Sequence, residues 1–519
     1  MASLIRPRIL IVTPEITYLP SGMGNYAQRM SAKAGGLADV SASLVSALFE
    51  LGADVHVALP NYRRMFQGEV FSFHEKQLRK YYEVLPDAHI HLAEDRIFYY
   101  REQVYSGYQD ESMKIAMVFQ REVINHIIPN ARPDLIHCND WMTGLIPGMA
   151  RRRGIKSLFT VHNIHTQRVW LPMIEDNGID AAEFWGNLYY DGMPYNYEHA
   201  RNSTPVDLLT SGIFSAHFIN TVSPRFLWEI VEGWHPMVPD SVRQELRQKY
   251  WAGCAKGILN APDVSYDPET DPYIPHQYHF INVTEGKREN KLALQRELQL
   301  DENPNAPLFY WPSRLDPMQK GPQLLSDILH KLVSDYWHED LQVAIIANGP
   351  HQKYFHQIVS AFGLQCRVAV VDFDERLSRM GYAGSDFMFM PSLFEPCGLP
   401  QMTAPIYGSL PIVHATGGLY DTVNHLDIHA GTGNGFRFDH YDPVSLRWAT
   451  DQAMEFYRQP QVVKEAHLRR IMRESQLRFN HEEVAEQYIA MYEEMLARPL
   501  VDKDVSTSDA SPVKPPTGN

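Results

Sequence analysis

The sequence predicts an α/β protein made of two doubly wound halves, each with a parallel sheet. Three observations carry this. At 519 residues the chain exceeds what one hydrophobic core usually supports, so two large domains are expected. Short apolar runs repeatedly end in glycine-bearing turns that open helix-patterned segments, the signature of strand–helix–strand units. That pattern occurs twice, once on each side of a polar, proline-bearing stretch from Asp267 to Pro275 that reads as the interdomain crossing.

In the first half, Ile9 to Val12 reads as a strand. Apolar residues at Leu37, Val40, Leu44, Val45, Leu48 and Leu51 then follow helical spacing, and Gly52 closes that segment as a C-cap glycine would. Val55, Val57 and Leu59 alternate toward Pro60 as the next strand, completing a unit with a right-handed connection. The loop from Glu15 to Ala32 is long and glycine-rich for a plain connection, and reads as a lid, an acceptor-contacting loop or a disordered insertion. Further strands are expected at 134–137, 157–161 and 218–222, with a helix-like stretch from Leu145. His137 and Cys138 are neighbours on an extended segment and point to opposite faces, so a shared metal ion is excluded and a buried, hydrogen-bonded histidine is expected. Aromatic residues between Phe184 and Tyr197 suit either sugar stacking or loop packing.

The second half repeats the plan. Strands are expected at 308–311, 343–347, 387–390 and 410–413, with helical patterning from Leu324 to Leu332. The run Val343 to Ala347 is continuously apolar, as in a central parallel strand. A helix from about Glu482 to Leu496 is expected to pack back across the molecule, and the Ser, Thr, Asp, Pro and Lys composition after Val501 reads as a disordered tail. The expected division is therefore 1–275, 276–480, a returning helix at 481–498 and a tail at 499–519.

Composition narrows the function. A net charge of −15 argues against nucleic acid as the main partner. No apolar run reaches the roughly 20 residues a membrane span needs, and no secretory signal is expected at the N-terminus. The four cysteines are widely spaced without a C-x-x-C pair, which fits a reducing, cytoplasmic setting.

Chemistry concentrates at the predicted strand ends, where open α/β sheets bind ligands. Lys33, Gly35 and Gly36 precede the first helix; a glycine pair lets a ligand approach the backbone, and helix-start N–H groups favour an anion. The same residues also suit a loop with a solvated lysine. Arg314 and Lys320 flank one loop of the second half and suit a diphosphate, or are ordinary surface cations. Glu395 sits between Phe394 and Pro396 before the Gly398 turn, where a carboxylate could accept hydrogen bonds from sugar hydroxyls or favour a helix start. Thr416, Gly417 and Gly418 offer further backbone donors, and Asp140 and His162 fall at strand ends.

Taken together, Lys33-x-Gly35-Gly36-Leu37-Ala38-Asp39-Val40, Asp140-Trp141-x-Thr143-Gly144, Thr160-Val161-His162-Asn163, Gly257-Ile258-Leu259-Asn260, Phe394-Glu395-Pro396-Cys397-Gly398-Leu399 and Thr416-Gly417-Gly418-Leu419-x-Asp421-Thr422-Val423 resemble the bacterial glycogen synthase and plant starch synthase family, glycosyltransferase family 5. The matches run in order to about residue 480. The resemblance implies a GT-B fold: two Rossmann-like domains with parallel sheets facing across a cleft. It implies a retaining transfer of glucose from a nucleotide sugar, usually ADP-glucose, to the non-reducing end of an α-1,4-glucan, with no cofactor and no metal. On the matching positions, Lys33, Gly35, Gly36, Arg314 and Lys320 would contact donor phosphates. Gly398, Leu399 and Gly418 would line phosphate-binding turns, with Thr416 and Gly417 also counted as substrate-binding. Glu395 would hold the sugar and His162 would meet it from the opposite domain, with Asp140, Asp39 and Asn260 also carried over. The chain departs from the family pattern at Ala34 and Pro400, and its Arg314–Lys320 spacing is one residue longer. Those departures leave two alternatives open: another GT-B retaining transferase with a UDP- or GDP-sugar donor, or a non-catalytic glucan-binding relative.

Overall fold

The computed structural model describes residues 6–24, 27, 30–66 and 89–501. The first sheet is parallel and has seven strands. They are β1 (Arg8–Val12), β2 (Asp54–Pro60), β3 (Ile90–Ala93), β4 (Leu135–Asn139), β5 (Lys156–Thr160), β8 (Phe218–Asn220) and β9 (Ala255–Lys256). A two-stranded antiparallel ribbon, β6 (Arg168–Val169) and β7 (Val206–Asp207), lies between β5 and β8 in the chain. The spatial order is β3-β2-β1-β4-β5-β8-β9, so the winding reverses between β1 and β4. Val12 pairs with Cys138 there.

The second sheet, also parallel, contains β10 (Leu308–Trp311), β11 (Gln342–Ile346), β12 (Val368–Val371), β13 (Phe387–Met390), β14 (Leu410–His414) and β15 (Phe436–Phe438). Its order, β12-β11-β10-β13-β14-β15, reverses between β10 and β13. Both reversals are topological switch points, where adjacent loops leave in opposite directions and open a crevice at the carboxyl ends of the strands. The inner strands β1, β4, β10, β11 and β13 are almost wholly buried, which is why their sequences read as continuous apolar runs.

The expected elements are present with shifts of a residue or two: the first helix spans Gly36–Glu50, and the last spans His481–Leu496. The last helix returns to the first sheet, where Tyr492 OH lies 2.8 Å from His137 Nδ1 and Asn220 Nδ2 donates to Tyr488 OH. His137 is buried and also bonded to Thr160, which bears out its reading as a core histidine; burial pushes its pKa down to about 3. In the loop after β1, Ile16 bridges Ala32, and Leu19, Met23, Ala27 and Met30 are buried. The described part of that loop is thus packed against the domain. The tail beyond residue 501 lies outside the described residues.

Candidate functional site

At the first switch point, the loop after β1 and the loop after β4 converge. Glu15, almost fully buried, accepts hydrogen bonds from the backbone amides of Ala34 (2.6 Å) and Gly35 (3.0 Å) through one oxygen and from Tyr105 OH (3.1 Å) through the other. It braces the glycine turn from below, and burial raises its pKa. The amides of Gly36 and Leu37, at the start of the helix, have no acceptor among the described residues and remain available to a ligand. Lys33 Nζ lies 2.9 Å from Asp39 Oδ2, and Thr17 donates to the other Asp39 oxygen. Asp39 thus faces Lys33 and sets its position.

After β4, Asp140 adopts φ 56° and ψ −179°, a conformation that costs a non-glycine residue energy and is found where surrounding structure enforces it. The turn brings its carboxylate onto the amides of His162 (2.7 Å) and Asn163 (3.3 Å). Burial nevertheless dominates and raises its pKa to about 7. Asn139 donates its amide to Val12 O, so its side-chain oxygen is the atom 2.8 Å from His162 Nε2. That oxygen only accepts, so Nε2 carries the proton and Nδ1, with no partner among the described residues, is left as an acceptor. Burial pushes the His162 pKa down to about 3, so the imidazole is neutral.

At the second switch point, Lys320 Nζ lies 2.6 Å from Glu395 Oε2, with Ser392 Oγ donating to the same oxygen at 3.0 Å. Glu395 is buried, and its Oε1 has no partner among the described residues. The loop from β10 packs against that from β13 through Leu393 N–H to Gln319 O. Arg314 is exposed and makes no side-chain bond among the described residues. The amides of Gly398 and Leu399 likewise have no acceptor among them.

The two sets of loops meet. A Cβ on Gly36 would lie 3.8 Å from the Leu399 side chain, and Asn260 N–H points at Cys397 Sγ at 3.4 Å. The Asn260 side-chain oxygen is buried without a partner among the described residues. Glu229, from the helix Pro224–Glu232, accepts from Gly417 N (3.0 Å) and Thr416 Oγ1 (3.1 Å) across the domains, while Asp421 accepts from Ser223 Oγ (2.6 Å) and Arg225 N. Gly418 N donates to the Glu395 carbonyl, and a side chain at Gly417 or Gly418 would collide with the carbonyls of Glu395 or Cys397. These glycines let one loop lie directly on the other.

Residues 8–239 match the family model described as the starch synthase catalytic domain, and residues 294–469 match that of glycosyl transferases group 1. The glycogen synthase of Bacillus subtilis is 33% identical over 463 residues, spanning 83% of this chain and 90% of the relative. The chain belongs to the glycogen synthase and starch synthase family. The glycogen synthase of Moorella thermoacetica is 33% identical over 516 residues, covering 95% and 97% of the two chains. Among solved structures, the catalytic domain of starch synthase IV from Arabidopsis thaliana, bound to ADP and acarbose, has a TM-score of 0.74 at 25% identity and covers 95% of this chain and 100% of that one. A sucrose-phosphate synthase from Thermosynechococcus elongatus, at TM-score 0.56 and 17% identity over 95% of this chain and 100% of its own, shares the fold alone. The fold is GT-B, and the protein is a glycosyltransferase that moves glucosyl groups from a nucleotide sugar in glycogen or starch synthesis.

The structure brings most of the sequence-derived candidates of this family member to the two switch points, and gives two of the three cations carboxylate partners. The three cations Lys33, Arg314 and Lys320 were expected to face a ligand together. Lys33 and Lys320 each also stand beside a carboxylate, Asp39 and Glu395, while the Arg314 side chain has no partner among the described residues. The longer loop between Arg314 and Lys320 still delivers Lys320 onto Glu395. Of the donors read at Thr416, Gly417 and Gly418, Thr416 Oγ1 and Gly417 N bond to Glu229, and Gly418 N bonds to the Glu395 carbonyl. Sequence reading missed Glu15 and Glu229 as positioning residues. Glu15 had a signal, a carboxylate at the end of the first strand; Glu229 lies inside an amphipathic helix and had none.

Proposed function

We propose that this protein is a retaining glucosyltransferase that takes glucose from ADP-glucose and adds it to the non-reducing end of an α-1,4-glucan. On this reading residues 1–275 form the acceptor side and 276–480 the nucleotide-sugar side, with the helix 481–498 bridging back. The bond between the anomeric carbon and the diphosphate breaks as the acceptor hydroxyl attacks from the same face. Negative charge therefore builds on the leaving diphosphate. Arg314, Lys320 and Lys33 would meet that charge, together with the uncommitted amides of Gly36, Leu37, Gly398 and Leu399. Fixed donors aimed at developing charge act most strongly in the transition state.

Glu395 is held through one oxygen by Lys320 and Ser392, which leaves Oε1 to grip a sugar hydroxyl. His162, neutral with Nδ1 open, would accept from the sugar on the opposite side. Asp140, poised near neutrality, would accept from the acceptor hydroxyl or its neighbour. Asn260, with an orphaned side-chain oxygen, would bind the sugar at the domain contact. The ADP seen on the Arabidopsis starch synthase domain supports the choice of donor base. Four cysteines without a disulfide among them suit a cytoplasmic setting.

The observation that carries this reading is the Lys320–Glu395 pair at the second switch point, on a loop whose Leu399 side chain lies 3.8 Å from where a Cβ on Gly36 would stand. Glu395→Ala should abolish glucosyl transfer from ADP-glucose while glycogen binding persists. Transfer at the wild-type rate in that variant contradicts the assignment.

A further inference from the structure

Away from the cleft, at the edge of the first sheet, four titratable side chains converge that the transfer reaction does not use. Asp54 and His56 stand two residues apart on β2 and so share a face. Val57 pairs with Ile90 and Ala58 with His91 on the neighbouring β3, which sets His89 and His91 on that same face. His56 Nε2 lies 3.1 Å from Asp54 Oδ1, and His89 Nδ1 lies 3.9 Å from the same oxygen. His56 Nδ1 lies 2.9 Å from His91 Nε2. His56 is buried, while Asp54 and His89 are half-buried. Among the described residues this is the one group of three or more metal-ligating side chains whose donor atoms all lie within 4.8 Å of one another.

We infer that Asp54, His56 and His89 form a binding site for a zinc-class divalent cation, with His91 as its outer hydrogen-bond partner. Zinc bonds to imidazole and carboxylate of about 2.0–2.1 Å set ligand atoms about 3.3 Å apart on a tetrahedral edge, and the 3.1 and 3.9 Å separations bracket that value. Two imidazoles and one carboxylate are the borderline donors zinc prefers, with water completing the shell. The other oxygen of Asp54 is tied to Arg8 Nε at 3.0 Å, which orients the carboxylate with Oδ1 toward the histidines. A metal on His56 Nε2 moves the ring proton to Nδ1, where His91 Nε2 waits as acceptor; ligating histidines commonly have such a partner. His89 Nδ1, which lies 2.9 Å from Val55 O, exchanges that contact for the metal. The ring of Phe49 packs edge-on against His89, with centroids 5.6 Å apart, and closes the face from the helix side. The site lies toward the amino end of β2, whereas the candidate transferase site lies at the carboxyl ends. Its role is to tie the edge strand β3 to β2 through His89, and no step of glucosyl transfer passes through it.

The test is equilibrium dialysis of the full chain, stripped with a chelator, against zinc chloride, with bound metal measured by atomic emission. One zinc per chain is expected, together with a rise in thermal midpoint on zinc addition that the chelator reverses. Asp54→Asn combined with His89→Ala should lose both, and circular dichroism establishes that this variant is folded. Should that double variant fail to fold, His89→Ala alone, at a half-buried position, carries the same expectation. His91→Ala should bind roughly 10- to 100-fold more weakly, the usual cost of an outer hydrogen-bond partner. Absence of stoichiometric zinc in the wild type, or equal uptake by wild type and His89→Ala, overturns the site. Unchanged affinity in His91→Ala overturns the tautomer argument on which it rests.

Discussion

Replacing Lys320 with methionine removes the cation that Glu395 faces while keeping most of the side-chain volume. Two effects follow and can be separated. The pair is 2.6 Å long, with side-chain exposures of 13% and 6%, so the carboxylate loses its counter-charge in a site mostly shut off from water. Breaking a buried pair costs about 3–5 kcal/mol. Ser392 still donates to Glu395, so the loss in stability should fall near the lower end, about 3 kcal/mol. The rate effect has a different origin: a donor aimed at the leaving diphosphate is lost. Removing one such group costs about 3 kcal/mol in the transition state, roughly a hundredfold in kcat/KM. Release of ADP from ADP-glucose in the presence of glycogen measures the rate, and urea unfolding measures stability. Adding Glu395→Gln should restore most of the stability, because the uncompensated buried charge is gone, yet leave the rate low. A Lys320→Met enzyme within threefold of the wild-type rate would refute this reasoning, as would recovery of rate in the double variant.

Two further outcomes are expected. Burial raises the Asp140 carboxyl to about 7, so transfer that needs its ionised form should rise with pH through that range, and Asp140→Asn should lose that limb of the profile; a pH–rate profile of both proteins checks it. For Glu229, burial raises the pKa but the hydrogen bonds from His235 and Arg225 outweigh it, so the folded value lies below the ordinary one. Its stabilising contribution is therefore fully present above the unfolded pKa of about 4.3 and lost as pH falls through the lower folded value. Glu229→Gln should flatten that part of an acid-unfolding curve and loosen the domain contact at Gly417, read by hydrogen exchange of its amide.

The sequence made the inner strands legible because burial on both faces demands continuous apolar runs, and β10 and β13 were read to the residue. Edge strands were harder. β3, β9, β12 and β15 were not read, since each is short or carries polar residues such as His91, Lys256 and Arg437 on its exposed side. The helices Gln109–Glu122 and Val283–Glu297 were also missed; both are rich in polar residues, and their buried faces include Gln120, Lys287 and Asn290, which apolar spacing does not reveal. At the site, residue types and turn positions were readable, but partners were not. That Lys33 pairs with Asp39, or that Glu229 reaches Gly417 from the other domain, depends on tertiary distances that spacing does not encode. Pro400, where the sequence departs from the family pattern, occupies the first position of the helix Pro400–Ile406, where a missing N–H leaves no intrahelical bond unmade.

The most direct measurement is turnover of isotopically labelled ADP-glucose, UDP-glucose and GDP-glucose with a maltooligosaccharide acceptor, with the product's linkage and anomeric configuration read by nuclear magnetic resonance. The expected result is efficient use of ADP-glucose and a new α-1,4-linked glucose at the non-reducing end. No transfer from any of the three donors, or a product with inverted configuration, would contradict the proposed reaction.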